Sequence, residues 1–426
     1  MTEILSSSTP VHLKNTASGK LLVAALIIVL VVGALMRIVP TASRDPINKN
    51  IPAALPITYL GFDEDCYRHY LMMIDAKGLI GYPAVARSYV AAQPDLPFAV
   101  IPPTRVTFIA TAYLWQIVSK SGPVPALRAV SCLFTVLGLV GASVFAWRIA
   151  GLPTALAITA LMSCAPLQIQ MAQRPYIDGI FACWALFALW MLWENLRAPN
   201  RHGLLTGYAL SLALMVMTKE NAAFVFVAIL GIIALNRWIQ FGRVTPRLLI
   251  ATFIGPLLGV LVLLLAAGGI NTLIEIYRLN VEKSFVLPYA IKTGDGPWFR
   301  YALDLLIMNP AVTLLAIAGF FNIQRRDKPG VYFALFIAIT YLIMANVGCM
   351  NLRYGSIWDM PLRWLAFGQL TVIAGAMRPR FARYFIPLAV ILLSLLDLNQ
   401  YFLFFAQNGL YDPLPDSMLR ILNIVK

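Results

Sequence analysis

Three consecutive carboxylates, Asp63, Glu64 and Asp65, stand together in a chain of 426 residues that holds only 19 acids. A carboxylate is the usual acceptor for the proton of a hydroxyl nucleophile, and a cluster of them is also a hard-oxygen ligand set for a divalent cation. Tyr67 follows on the same stretch. Further along, the chain sets a cation beside an acid twice, Arg174 and Asp178 in Gln173-Arg-Pro-Tyr-Ile-Asp-Gly179 and Lys219 and Glu220 in Thr218-Lys-Glu-Asn221, and a cation beside a tyrosine once, Arg353 with Tyr354 in Asn351-Leu-Arg-Tyr-Gly355. Arginine grips a phosphate through a fork of N–H donors and lysine as a point charge, so the two sets together suit transfer to or from a phosphate-bearing substrate. No Walker-type phosphate loop or dinucleotide fingerprint is present, and Ser18-Gly19-Lys20 lacks the remainder of such a loop. A nucleotide donor is therefore not indicated. The five cysteines and three histidines show no metal spacing.

The elements that position these residues are membrane spans. The chain is 60% hydrophobic and 12% charged, where a soluble protein carries about 25% charged residues, and its mean hydropathy is +0.77. Apolar runs of about 20 residues, each long enough to cross a bilayer, recur along it. The sequence therefore predicts an all-α polytopic, multi-pass membrane protein. The net charge of +14 is dispersed through short loops and forms no basic face, as the positive-inside rule requires and nucleic-acid binding does not.

Residues 1–19 read as a polar cytoplasmic tail and 20–39 as an uncleaved first span. A Pro-rich polar stretch follows to residue 103, with short interfacial helices expected at 65–77 and 82–92. The run 104–119, bounded by Arg105 and Lys120, is short for a span and is expected to lie along the interface. Spans then follow at 126–147, 153–172, 177–196, 203–218, 221–238, 247–267, 299–321, 330–349, 357–377 and 384–405, which makes eleven. With the N-terminus inside, the cytoplasmic loops hold Arg148, Arg197, Arg201, Arg237, Arg243, Arg325, Arg326, Arg378 and Arg380. This parity puts every polar grouping named above on the outer face, together with the loop 268–298. The expected layout is a transmembrane domain over 20–405 with an outer catalytic loop at 40–125, and a short outer tail at 406–426.

At these residues the chain resembles the GT-C superfamily of polyprenyl-phosphate-dependent glycosyltransferases. The likeness is nearest to the branch of protein O-mannosyltransferases and aminoarabinose transferases, over roughly 20–240 with an echo at 351–361. The resemblance implies that Asp63 is the catalytic base and Glu64 its supporting neighbour. It also implies that Tyr67, Arg174, Asp178, Lys219, Arg353 and Tyr354 bind substrate, and the adjoining acids Asp65 and Glu220 are expected to join them. The implied reaction is inverting transfer of a sugar from a polyprenyl-phosphate donor to a lipid, glycan or protein acceptor, at the periplasmic side of a bacterial inner membrane. No cofactor is implied; a divalent cation on Asp63, Glu64, Asp65 and Asp178 is the open alternative. The third acid, Asp65, departs from the family's acidic pair and leaves the base open among the three. No soluble outer domain is expected after the last span, which leaves acceptor recognition unassigned.

A secondary transporter or lipid flippase is the competing class, and would place ionisable groups near mid-membrane on broken helices. A non-catalytic assembly protein would explain the spans but not the carboxylates. Reporter fusions test the orientation: a fusion at Arg148 is expected to report inside and one at Lys219 outside, and the reverse pattern overturns the parity.

Overall fold

Long apolar runs with no polar face make helices that are surrounded by other helices or by lipid, and this chain folds accordingly. The computed structural model describes residues 17–40, 62–97, 100–284, 296–348 and 350–425, and the described residues form helices and no strand. In chain order the helices are α1 (Ala17–Ile38), α2 (Phe62–Asp75), α3 (Tyr82–Ala92), α4 (Val106–Ser119), α5 (Pro123–Ala150), α6 (Leu152–Ser163), α7 (Pro166–Gln173), α8 (Asp178–Arg197) and α9 (His202–Val216). There follow α10 (Ala222–Ile239), α11 (Pro246–Ala267), α12 (Ile270–Ser284), α13 (Arg300–Met308), α14 (Pro310–Asn322), α15 (Lys328–Met344), α16 (Asp359–Gly375), α17 (Pro379–Tyr401) and α18 (Pro415–Ile421).

Among the described residues six helices, α1, α5, α8, α10, α11 and α17, are long and apolar enough to cross a membrane. The pair α6 and α7, bent by 59°, makes a seventh crossing if taken as one rod. The expected count of eleven is not reached on length alone. The run 299–321 divides at Asn309-Pro310 into α13 and α14, and α16 begins only at Asp359, after a 3-10 turn over Leu352–Trp358. The 15 residues of α9 rise about 22 Å, short of the roughly 30 Å of hydrocarbon. Close packing compensates: Gly255 and Gly259 of α11 lie against α9, where a Cβ would come within 2.6 and 2.7 Å of the Ala209 and Ala213 carbonyl oxygens. Small residues one turn apart are what such a contact needs.

The expected interfacial helices are present as α2, α3 and α4, with α2 starting at Phe62 rather than Asp65. The loop 268–298 contributes a helix that was not expected, α12, tied back to the chain after α3 by Lys283 Nζ, which donates to Pro94 O at 2.9 Å and Leu96 O at 2.6 Å. Residues 406–425 are more than a tail. Met418 is fully buried, and the turn Phe402–Gln407 brings the chain back over the ends of α7 and α13.

The bend between α6 and α7 has a chemical cause and a chemical remedy. Pro166 cannot donate to the preceding turn, so carbonyls at the end of α6 lose their helical partners. Inside a membrane protein such groups must be satisfied by other protein atoms. Arg37 Nη1 and Nη2 donate to Ser163 O at 3.1 Å and Met162 O at 2.9 Å, and Arg363 Nε donates to Leu161 O at 3.0 Å. Arg363 is balanced by Asp359 and Asp397, at 2.8 and 2.5 Å. The end of α7 is then pinned by Gln173, whose Nε2 donates to Met36 O and Val39 O while its Oε1 accepts from Tyr401 Oη. Arg174 leaves that end in a fixed direction. Removing one partner of a buried ion set leaves the others uncompensated, at about 3–5 kcal/mol. Arg363→Leu is therefore expected to lower the thermal unfolding midpoint in detergent sharply. Adding Asp359→Asn and Asp397→Asn should recover most of the loss, and an unchanged midpoint in the single variant would contradict this assignment.

Candidate active site

The three acids occupy the first turn of α2, where the exposed N–H groups of the helix end favour negative charge. Successive residues on a helix point about 100° apart, so the triplet is divided. Asp63 faces the 3-10 turn, with Oδ2 2.9 Å from Arg353 Nη1. Glu64 points into the bundle and accepts both Nε and Nη2 of Arg174, at 2.6 and 2.9 Å. Asp65 turns outward, more than half exposed, and pairs with Arg68 one turn on at 2.7 Å. Asp65 is thus not brought to the other site residues. Exposure separates the remaining two, since the Glu64 side chain is 0% exposed and closed by Arg174 while Asp63 is 22% exposed. Asp63 is the carboxylate that a substrate can reach. Cys66 beside them is no nucleophile, because burial pushes its thiol up to about 12, with Asp63 adding to the effect.

Asp178 is the first residue of α8 and is buried between two cations: Lys219 Nζ donates to its Oδ1, and Arg353 Nη1 lies 3.7 Å from its Oδ2. Lys219 follows the end of α9, with Nζ 3.9 Å from the centroid of the Tyr354 ring, a cation–π contact. Burial holds the Lys219 ammonium below the usual lysine value, an effect that Asp178 offsets in part. The backbone around these groups is tied down. Thr107 N and Oγ1 of α4 donate to Met217 O and Leu214 O at the end of α9, and Ser131 Oγ of α5 donates to Tyr176 O.

The sequence-predicted residues Asp63, Glu64, Arg174, Asp178, Lys219, Arg353 and Tyr354 therefore meet at one end of the bundle. Tyr67 and Glu220 join through a residue not singled out beforehand, Arg105, which donates to Tyr67 Oη and lies 3.4 Å from Glu220 Oε2. Tyr176, Tyr411 and Asp412 were also missed. Asp412 Oδ1 lies 2.9 Å from Arg353 Nε, the Tyr411 ring lies 4.8 Å from the Arg174 guanidinium, and the Tyr176 ring lies 4.7 Å from that of Arg353. Arg105 gave one signal, a cation opening an apolar run. Asp412, an isolated acid after the last span, gave none.

Two features decide what the site can do. Arg353 sits at hydrogen-bonding distance from Asp63 and Asp412, yet its buried Nε and Nη1 make no aligned hydrogen bond. The guanidinium is held by charge, with N–H groups not committed to its partners. Arg174 has two nitrogens engaged by Glu64, which ties the end of α7 to α2. The four carboxylates that the sequence offered as cation ligands are not gathered. Asp65 faces away, Glu64 and Asp178 each hold a protein cation, and no group of three metal-ligating side chains exists among the described residues. Glu64→Gln should destabilise the protein by about 3–5 kcal/mol, because Arg174 loses its buried counter-charge. Asp65→Asn should change stability by less than about 1 kcal/mol; equal effects in thermal unfolding would show that the register of α2 is different.

No known protein family and no curated protein sequence matches the chain. Solved structures do. ArnT from Cupriavidus metallidurans in the apo state superposes with a TM-score of 0.52 at 14% identity, over 96% of this chain and 76% of that one. The same protein bound to undecaprenyl phosphate gives 0.51 at 14% identity, over 96% and 77%. The oligosaccharyltransferase AglB from Archaeoglobus fulgidus, in complex with an inhibitory peptide and a dolichol-phosphate, gives 0.56 at 13% identity, over 90% of this chain; the chain spans about half (55%) of that protein's length. The chain thus shares the fold of these two membrane proteins.

Proposed function

We propose that the chain is an integral-membrane glycosyltransferase that moves one sugar from a polyprenyl-phosphate donor to a lipid, glycan or protein acceptor at the outer, periplasmic face of a bacterial inner membrane. The observation that carries this reading is the division of the first turn of α2: a reachable Asp63 faces Arg353, while Glu64 beside it is closed by Arg174. The fold supports it, since ArnT has been seen with undecaprenyl phosphate and AglB with dolichol-phosphate.

In this reading the donor phosphate takes the N–H groups of Arg353 and the ammonium of Lys219, displacing Asp63 and Asp178 as their partners. Asp63 is then free to accept the proton of the acceptor hydroxyl. The acceptor oxygen bonds to the anomeric carbon as the carbon–oxygen bond to phosphate breaks, and the charge growing on the leaving phosphate is held by the same two cations. Retention would require a second carboxylate as nucleophile about 5–5.5 Å from the first, and Glu64 is closed to that role. A single displacement inverts configuration. In this reading Arg353 and Lys219 meet the charge on the leaving phosphate, and the reaction needs no divalent ion.

The competing transporter reading would use the buried Asp359–Arg363–Asp397 set. Arg363 there serves the broken end of α6 and both acids, which is a structural role.

Mass spectrometry of a deletion strain should show one polyprenyl-phosphate sugar accumulating and one sugar missing from an envelope glycan or lipid. With that lipid as donor, membranes carrying the wild type should transfer in the presence of chelator. Asp63→Asn should lower turnover by about 10²–10⁴-fold. An unaltered lipid and glycan profile sinks the transferase reading, and activity lost to chelator and restored by Mg²⁺ or Mn²⁺ sinks metal independence.

A further inference from the structure

Arg353 has more carboxylates than its charge requires. Asp63 and Asp178 approach Nη1, and a third acid, Asp412, approaches Nε. Burying a carboxylate costs several kcal/mol of hydration, and Asp412 is only 8% exposed. It comes from the segment after the last long helix, where it is placed with care. Asn351 Nδ2 donates to its Oδ1 at 3.1 Å, and the Asn351 Oδ1 accepts Arg353 N at 2.9 Å, so one amide orients both members of the pair. The backbone just before it is anchored as well. Leu410 N donates to Phe404 O at 2.9 Å, Gln170 Nε2 of α7 donates to Leu410 O at 3.4 Å, and Tyr176 Oη donates to Tyr411 O at 3.1 Å.

We propose that Asp412 is a positioning residue. It holds the Nε edge of Arg353 from the side opposite α2, so that the guanidinium is shared and does not close onto Asp63 and Asp178. Without that opposing pull, Arg353 swings toward the two acids on its other side and makes with them the aligned ion pairs it lacks in the structure. A phosphate then has to break those pairs before it can bind. The role rests on the donor reading proposed above, and makes the C-terminal segment part of the site rather than a tail.

A simple neighbouring charge and a positioning residue predict opposite signs. Removing a negative charge beside a phosphate site strengthens anion binding by coulombic attraction alone; removing the residue that presents Arg353 weakens it. Equilibrium binding of undecaprenyl phosphate to the purified full-length chain in detergent distinguishes them. Asp412→Asn is expected to raise Kd by about tenfold, the size of one charge-assisted phosphate contact that Arg353 no longer presents, measured below the variant's thermal midpoint. Asp412→Glu should restore most of the affinity. Asp412→Ser should behave as the Asn variant and serves in its place if that protein does not fold. In an Arg353→Gln background, Asp412→Asn should add nothing. Unchanged or tighter binding by Asp412→Asn overturns the role, as does an equal weakening with and without Arg353. Failure of the wild type to bind either undecaprenyl phosphate or dolichyl phosphate removes the donor reading and this role together. Binding lost in Arg353→Gln but intact in Asp412→Asn removes this role alone.

Discussion

A buried guanidinium shared by three carboxylates holds the site end of this molecule together. Arg353, on a short 3-10 turn, meets Asp63 from α2, Asp178 from α8 and Asp412 from the C-terminal segment. An ion removed from water is tolerated only with partners of opposite charge, so the four segments are obliged to converge. The same rule fixes the neighbours. Lys219 brings the end of α9 to Asp178, Arg174 brings the end of α7 to Glu64, and Arg105 brings the start of α4 to Glu220. Tyrosine rings fill the spaces between the cations, with Tyr176 against Arg353, Tyr411 against Arg174 and Tyr354 against Lys219, where the ring faces add to the attraction. Four cations stand against five carboxylates in this cluster. An anion that enters it therefore exchanges partners with carboxylates rather than filling an open positive hole, which in the proposed reaction ties donor binding to release of the base.

A second charged network lies within the bundle and does different work. The proline at the start of α7 frees carbonyls in a place where water is not available to satisfy them, and Arg37 and Arg363 supply the donors. Gln168 joins the two networks, donating to Asp359 Oδ2 at 2.7 Å and to Ser356 O at 3.3 Å on the turn that carries Arg353. The bend is thus part of the scaffold of the site: it aims α7, and with it Arg174, at the first turn of α2. Intramembrane charges are functional candidates by default, and Arg37 and Arg363 serve here to satisfy the carbonyls of a broken helix.

Within the site, two adjacent side chains of one type have opposite fates. Asp63 and Glu64 differ by about 100° of helix rotation, and that rotation separates a reachable carboxylate held by charge from a fully buried one locked in a two-point hydrogen bond. The proposed division of labour, base and scaffold, follows from orientation more than from intrinsic acidity.

Much of this was legible in the chain itself, because the governing physics is local and additive. Apolar runs report a bilayer through their length, basic loops report sidedness through their alternation, and together they placed Asp63, Glu64, Arg174, Asp178, Lys219, Arg353 and Tyr354 at one end before any coordinate was known. The bounds of α3 and the helical state of 106–119 were read in the same way. Pairing was not legible, because an ion pair between residues more than a hundred positions apart depends on helix rotation and on how closely helices approach. For that reason the sequence grouped Asp65 with the substrate-binding residues although it pairs with Arg68 away from them, and it did not show that Arg174 holds Glu64 or that Lys219 holds Asp178. The number of full spans was illegible too, since prolines at 166 and 310 divide runs whose composition reads as continuous. Asp412 and Arg105 entered the site only through the fold. A solitary acid in a terminal segment has no periodicity or motif to mark it, and only the approach of a buried arginine, set by the tertiary structure, decides that it has a partner.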